Sequence, residues 1–205
     1  IIEDNFNITK NLIKILNKNY FKKFINLSSA SLYPNKDGKF SEKSDVFFLE
    51  NNDNMYGFSK YMAEKMLNLH LNKHKTIHFR VGNIIGNDQD KSIVSEIKKS
   101  LKSRNCIEIF GNGERVLNLI HITNLIKYIF LIFKQKTYGV FNLCDYSISI
   151  KKLAQIIKNK YGNKKSKILF KKLNIKNSKF NLITNKFFNL IKSPKPTNKG
   201  LLYEI

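Results

Sequence analysis

Apolar and polar positions along the chain follow two periods, and the switches between them divide the sequence into elements. Phe6, Ile8, Leu12, Ile13 and Ile15 recur within residues 4–18 at a spacing nearer helix than strand. Phe24-Ile25-Asn26-Leu27 reads as a short strand and runs into Ser28-Ser29-Ala30-Ser31. Residues 33–55 hold Pro34, Gly38 and scattered Asn, Asp and Lys, which is loop chemistry, and a loop of this length is more often functional surface than slack. From Tyr56 to about His74 a helical pattern returns, with Tyr56, Ala63, Met66, Leu67 and Leu71 as its apolar stripe. Thr76 to Val81 alternates as a strand does and breaks at Gly82-Asn83 and again at Gly86. Strand, loop, helix, strand predicts a parallel sheet with crossover helices.

Past Gly86 the pattern predicts a helix over Ile93–Leu101, a strand over Ile107–Phe110, a tight turn at Gly111-Asn112-Gly113 and a strand over Val116–Ile122. A buried helix over Leu125–Phe133, a strand over Val140–Leu143 and a helix over Ile150–Tyr161 follow. The lysine-rich remainder, with Pro194 and Pro196, predicts irregular structure on the surface. No internal repeat or linker interrupts the series.

Composition changes this picture in one respect. The formal charge of +22, from 37 Lys+Arg against 15 Asp+Glu, would ordinarily raise nucleic acid or an anionic membrane as a partner. Here the positive charge is almost entirely lysine, with Arg80, Arg104 and Arg115 the arginines, and Asn and Ile are over-used alongside it. Those are the residues of A/T-rich codons, so genome bias accounts for the charge and nucleic acid is not the expected partner. Cys106 and Cys144 form no Cys-x-x-Cys pair, which fits free thiols in a reducing, cytoplasmic compartment. The longest apolar run is broken by Lys127 and is too short for a membrane span. His70, His74, His78 and His121 show no metal-site spacing. The first residue is Ile1, and the expectation is a processed chain or a fragment.

The candidate chemistry lies between Phe24 and Lys60. Ser29 falls at the carboxyl end of a strand, where open α/β sheets place their ligands. Tyr56 and Lys60 are one helical turn apart. The spacing alone carries little, since Tyr61/Lys65 and Tyr161/Lys165 repeat it; these two pairs read as solvated helix faces. Context separates the first pair: a Ser-Ser strand exit upstream, and the small Gly57 and Ser59 inside the motif. Glu42, Asp45, Glu50 and Asp53 in the intervening loop read as solvated.

The order of these signals resembles the extended short-chain dehydrogenase/reductases, in particular the nucleotide-sugar epimerases and dehydratases. The stretches that carry the resemblance are Asn5-Phe6-Asn7-Ile8-Thr9-Lys10-Asn11-Leu12, Ser28-Ser29-Ala30-Ser31-Leu32-Tyr33, Tyr56-Gly57-Phe58-Ser59-Lys60 with Glu64, and Arg80-Val81-Gly82-Asn83-Ile84-Ile85-Gly86. Ile109-Phe110-Gly111-Asn112-Gly113, Asn118-Leu119-Ile120-His121-Ile122, Gly139-Val140-Phe141-Asn142 and Gly200-Leu201 extend it along nearly the whole chain.

The resemblance implies an α/β fold: the C-terminal half of a Rossmann-type doubly wound parallel sheet with a smaller α/β substrate-binding region. Residues 1–88 would be a partial NAD(P)-binding domain, and residues 89–205 mainly the substrate region, with segments returning to the first. The family's Gly-x-x-Gly-x-x-Gly loop, which cradles the dinucleotide pyrophosphate, has no counterpart before Asn5.

By the same resemblance Tyr56 is the acid/base, Lys60 lowers its pKa and holds the nicotinamide ribose, and Ser29 holds the reacting sugar hydroxyl. NAD or NADP would lie against Asn5, Leu27, Ser28, Tyr56, Lys60, Val81 and Ile84. A nucleotide-diphosphate sugar would lie against Ser29, Ser31, Asn83, Arg115 and Asn118. Members that dehydrate the sugar carry Asp and Glu where this chain has Ala30 and Ser31, so epimerisation or reduction is expected over dehydration. Leu117 stands where the family has a phosphate-binding arginine; Arg115, two residues earlier, is the expected substitute. Asn124 replaces a family Asp as a structural change, and His121 is expected to be a packed histidine. Homodimerisation through the helices after Asn5 and Tyr56 is a further implication. The alternatives are a dehydratase, a non-catalytic basic domain binding RNA or an acidic partner, and a missing half supplied as a separate chain.

Overall fold

A computed structural model describes residues 2–46, 55–72, 75–86, 92–172, 178–197 and 200–201. Helix α1 (Ile2–Lys18) leads into strand β1 (Phe24–Ser29), a single 3-10 turn (Ala30–Leu32) and the short strand β2 (Gly38–Phe40). Helix α2 (Met55–His70) and strand β3 (Thr76–Val81) follow, and β1 pairs with β3 in parallel register from Phe24↔Thr76 to Ser29↔Val81. Strand β7 (Gly139–Leu143) adds to the far side of β3, also parallel, giving the sheet order β1-β3-β7. This is the mixed α/β parallel sheet that the periodicity predicts.

The alternation of β3 maps onto two buried faces rather than one buried and one wet, because all six of its residues are buried. Ile77, Phe79 and Val81 join a core with Phe141, Leu143 and Phe187. Their polar neighbours find partners on α2, just beyond its end and on β1. Thr76 Oγ1 donates to the Asn72 carbonyl at 3.2 Å, and His78 lies between Asn26 (3.1 Å) and Asn68 (3.0 Å). A neutral imidazole carrying its proton on Nε2 satisfies both amides.

After β4 (Asn83–Ile85) the chain builds a second layer from α3 (Ile93–Arg104), β5 (Cys106–Phe110) and β6 (Val116–His121), while α4 (Ile122–Phe133) packs back on the core of the first sheet. Strand β8 (Tyr146–Ser149), α5 (Ile150–Tyr161) and β9 (Lys167–Lys171) complete it. Here β6 pairs in parallel with β4 and antiparallel with β8, while β5 pairs with β9. The two layers meet at Gly82, where an added Cβ would stand 2.5 Å from the Asn118 carbonyl oxygen, so the strands approach this closely only around a glycine.

Four expectations are corrected. Helix α4 is one-sided: Leu125, Tyr128 and Ile132 are buried, but Ile126, Phe130 and Phe133 are exposed. The lysine-rich end is not merely irregular surface. It supplies β10 (Phe180–Leu182), parallel to β2, and α6 (Asn185–Leu190), whose Phe187 and Phe188 enter the core. Glu42 is not simply solvated, since its carboxylate accepts from the Asn142 amide at 2.8 Å. Tyr61 packs against a buried cluster, and Tyr161 ends its helix at Gly162, so Tyr161/Lys165 is not a helical pair. Glu50 and Asp53 lie outside the described residues. Among the described residues no helix is long and apolar enough to cross a membrane.

Candidate active site

β1 delivers Ser28 and Ser29 to the carboxyl end of the three-stranded sheet. There the Ser29 hydroxyl accepts from the Ser31 amide at 3.1 Å and caps the 3-10 turn. Helix α2 starts against this turn because residue 57 has no side chain: a Cβ would lie 2.2 Å from the Ser31 carbonyl oxygen. That approach brings the Tyr56 phenol near Ser29, whose hydroxyl works against the effect of the phenol's burial. One turn on, Lys60 Nζ lies 5.6 Å from the centre of the Tyr56 ring and donates to the Leu27 carbonyl at 3.4 Å. Asn5 ties α1 to the same turn, its amide donating to Ser59 Oγ at 3.0 Å, which in turn donates to the Tyr56 carbonyl at 2.8 Å.

The electrostatics differ from the expected depression of the phenol. Partial burial raises the Tyr56 pKa above its ordinary value, and the nearby Ser29 hydroxyl counters this only in part. Burial also lowers the Lys60 pKa. The ammonium stands over the ring and turns to a backbone carbonyl instead of meeting the phenol oxygen, so desolvation prevails at both groups. Tyr56 is also 45% exposed, off the apolar stripe on which its spacing had placed it.

Behind the pair lies a buried charged network. Glu64, one turn beyond Lys60, takes a bidentate pair of bonds from Arg80 of β3, at 3.1 and 2.8 Å, with both side chains almost wholly buried. Arg80 also donates to the Tyr33 hydroxyl at 2.9 Å, and that hydroxyl is 2.8 Å from the Asn142 amide oxygen it can donate to. Burial works against the Arg80 charge, but Glu64 and the Tyr33 oxygen outweigh it and push the pKa further up. The network therefore fixes the height of α2 over β3, and with it the reach of Tyr56 and Lys60.

A cavity of about 420 Å³ opens in front of Ser29 and is lined also by Ser31, Asn83 and Arg115. Asn83 is exposed, with its amide donating to the Asn118 carbonyl at 3.3 Å. Arg115 is exposed, whereas Leu117 is buried in the core.

Residues 1–144 match the model of the NAD dependent epimerase/dehydratase family. The chain belongs to this family. Among solved structures it resembles a UDP-glucuronic acid 4-epimerase from Bacillus cereus, in complex with UDP-glucuronic acid and NAD, at 22% identity and a TM-score of 0.78, over 94% of this chain and 62% of that one. It resembles equally a UDP-N-acetylglucosamine 4-epimerase from Methanobrevibacter ruminantium M1 (18%, 0.80, 98% and 66%). A dTDP-glucose 4,6-dehydratase from Bacillus anthracis, in complex with NAD, is similar at 17% and 0.76, over 95% and 63%. The chain thus spans less than two thirds of the length of the first of these relatives. Comparison with curated protein sequences finds no match.

Within this epimerase/dehydratase family member, Ser29, Tyr56 and Lys60 meet in one place. Leu27 is 41% exposed on the open side of β1, and the Ser28 hydroxyl beside it is buried with no hydrogen-bond partner among the described residues. Val81 is buried and Ile84 packs against the same core, close to the sheet end but within its interior. Asn118 lines the cavity at Ser29 from its buried wall. It is 2% exposed, its oxygen accepts from Ser147 Oγ and the Leu182 amide, and its nitrogen donates to the Phe180 carbonyl. Its side chain holds β6, β8 and β10 together at the wall of that cavity. His121 caps α4, its Nδ1 accepting from the Thr123 amide. Asn124 donates to Asp145, a carboxylate that a second Asp would repel. The Glu64–Arg80–Tyr33 network was missed by sequence reasoning, and the available signal was an arginine in a strand too apolar to leave it unpaired.

Proposed function

We propose that this chain is the sugar-holding and proton-transferring part of an NAD(P)-dependent nucleotide-sugar epimerase or reductase. The observation that carries the reading is the convergence of Ser29, Tyr56 and Lys60 beside a cavity at the carboxyl end of β1. The residues present fit a dinucleotide. Among the described residues Ser28 offers an unpartnered buried hydroxyl, and Lys60 is held by a long contact to the Leu27 carbonyl and by the Tyr56 ring face, so both can turn to a ribose and its amide-bearing ring. Bound there, NAD(P) supplies a hydride acceptor and donor.

The chain's own residues do the rest. Ser29 holds the reacting sugar hydroxyl, and Tyr56 takes its proton and returns it. Lys60 favours the phenolate once its ammonium swings from the ring face toward the oxygen. Asn83 and Arg115 hold the diphosphate, with Arg115 acting for the charge that Leu117 lacks. Neither Ala30 nor Ser31 can act as the extra acid or base of a dehydration, which favours epimerisation or reduction. The division of labour follows residues 1–88 and 89–205. A homodimer through α1 and α2, whose Ile8, Leu12 and Ile15 face outward, and a cytoplasmic location without nucleic acid belong to the same reading.

Saturation-transfer NMR of the chain with a panel of nucleotide-diphosphate sugars tests it. Transfer to the sugar protons is expected, and to be lost in Asn83→Ala. Equal transfer in the variant, or none in the folded wild type, would count against the reading.

A further inference from the structure

Arg80 lies between the two halves of the site. On β3 it is the register partner of Ser28, the residue before Ser29. Tyr56, Lys60 and Glu64 follow one another at one-turn intervals along a single side of α2. The 3-10 turn that Ser29 caps runs straight into Tyr33. Arg80 holds both segments: Nε and Nη2 donate to the Glu64 carboxylate at 3.1 and 2.8 Å, and Nη1 donates to the Tyr33 hydroxyl at 2.9 Å. Tyr33 is itself pinned. It is 3% exposed, its hydroxyl faces the Asn142 amide oxygen at 2.8 Å and the Ser41 carbonyl at 3.0 Å, and its ring packs on Phe40 and Phe180. Asn142, wholly buried, donates in turn to the Phe40 and Ile183 carbonyls.

We propose that Tyr33 and Arg80 are positioning residues that set the separation of Ser29 from Tyr56, with Arg80 as the joint between the turn and the helix. The inference rests on the reading of Ser29 and Tyr56 above and deepens it. The contact at Gly57 limits how near the turn and the helix come, since a Cβ there would already lie 2.2 Å from the Ser31 carbonyl oxygen. Arg80 limits how far they part. A guanidinium suits the place because its planar fork presents five donors in fixed directions, so one rigid group sets Tyr33 against Glu64. An ammonium is a point charge on a flexible stem; it can follow the carboxylate and abandon the hydroxyl.

The test is an NMR titration of the full chain labelled with carbon-13 at the tyrosine Cζ, with the Tyr56 signal assigned by its loss in Tyr56→Phe. Burial is the largest influence on Tyr56 and holds its pKa above the ordinary value. Tyr33→Phe keeps the ring and the Arg80–Glu64 pair and removes the hydroxyl that joins Arg80 to the turn. The start of α2 then parts from the turn, water reaches the phenol, and the Tyr56 titration is expected to move down toward that of an ordinary phenol. Arg80→Lys should move it the same way. His78→Gln is the control. His78 lies on the same strand and bonds to Asn68 of α2 at 3.0 Å and to Asn26 of β1 at 3.1 Å, so its loss disturbs the packing of α2 on β3 without touching the joint, and Tyr56 should titrate as before. A Tyr56 titration unmoved by Tyr33→Phe, or moved as far by His78→Gln, overturns the inference. The titration reads geometry whether or not Tyr56 carries a proton for a sugar, so that result leaves the nucleotide-sugar reading to the saturation-transfer measurement above.

Discussion

Tyr56 owes its position to a glycine and a serine, and the lysine one turn on faces its ring and a backbone carbonyl. Removing its hydroxyl leaves the packing of a 45% exposed ring almost unchanged, so Tyr56→Phe is expected to act on chemistry alone. In any form of the enzyme that carries a dinucleotide-binding loop, it should lower turnover by roughly 10²–10⁴ with little change in KM. Steady-state kinetics decides this. Glu64→Gln, by contrast, leaves Arg80 as a buried cation without its counter-charge and should cost about 3–5 kcal/mol in urea unfolding. His78 adds a pH dependence. Burial first, then Arg80, lowers its pKa against the raising effect of Glu64, so the folded value lies below the ordinary 6.5. The unfolded chain then binds the extra proton, and stability present above about pH 6.5 falls as acidification proceeds toward the folded pKa. Denaturant unfolding between about pH 7 and about pH 5 should show this slope, and His78→Gln should flatten it whatever it does to the absolute stability.

At the scale of elements, helix α2 is held against the turn after β1 by an approach that admits no side chain. Gly57→Ala is expected to push the helix off the Ser31 carbonyl and to cost about 1–3 kcal/mol, with Tyr56 carried away from Ser29. Thermal unfolding gives the first effect and the Tyr56 titration curve the second. Helix α4 shows what periodicity leaves open. Its sequence is apolar on most sides and reads as a buried helix, yet Ile132 is fully buried and Phe130 is 66% exposed. Ile132→Ala should cost about 2–5 kcal/mol and Phe130→Ala within about 0.5 kcal/mol of nothing, as equilibrium unfolding can report. The short strands β2, β4, β8 and β10 escaped the sequence pattern because three or four residues hold too little of a period to register. α6 escaped for the opposite reason: two adjacent phenylalanines anchor it, and lysine and asparagine around them mask the stripe.

At the scale of the whole molecule, the charge of +22 and the sheet order β1-β3-β7 set the behaviour. Like charges repel in the compact state and salt screens them, so the thermal midpoint should rise between about 0.02 and about 0.3 M sodium chloride. A midpoint that falls would mean that specific ion pairs govern stability instead. The sequence determined the order of the main elements, the Ser-Ser strand exit and the Tyr56/Lys60 pair, because these are local: periodicity, turn residues and motif order are written along the chain. Tertiary structure alone decided the rest. Whether Lys60 faces the phenol oxygen or the ring, whether Asn118 bridges its neighbouring strands, and whether Glu64 meets Arg80 all depend on which surfaces come together. So does the reach of Arg80 to both α2 and the turn after β1, since spacing along one strand cannot say what packs against it.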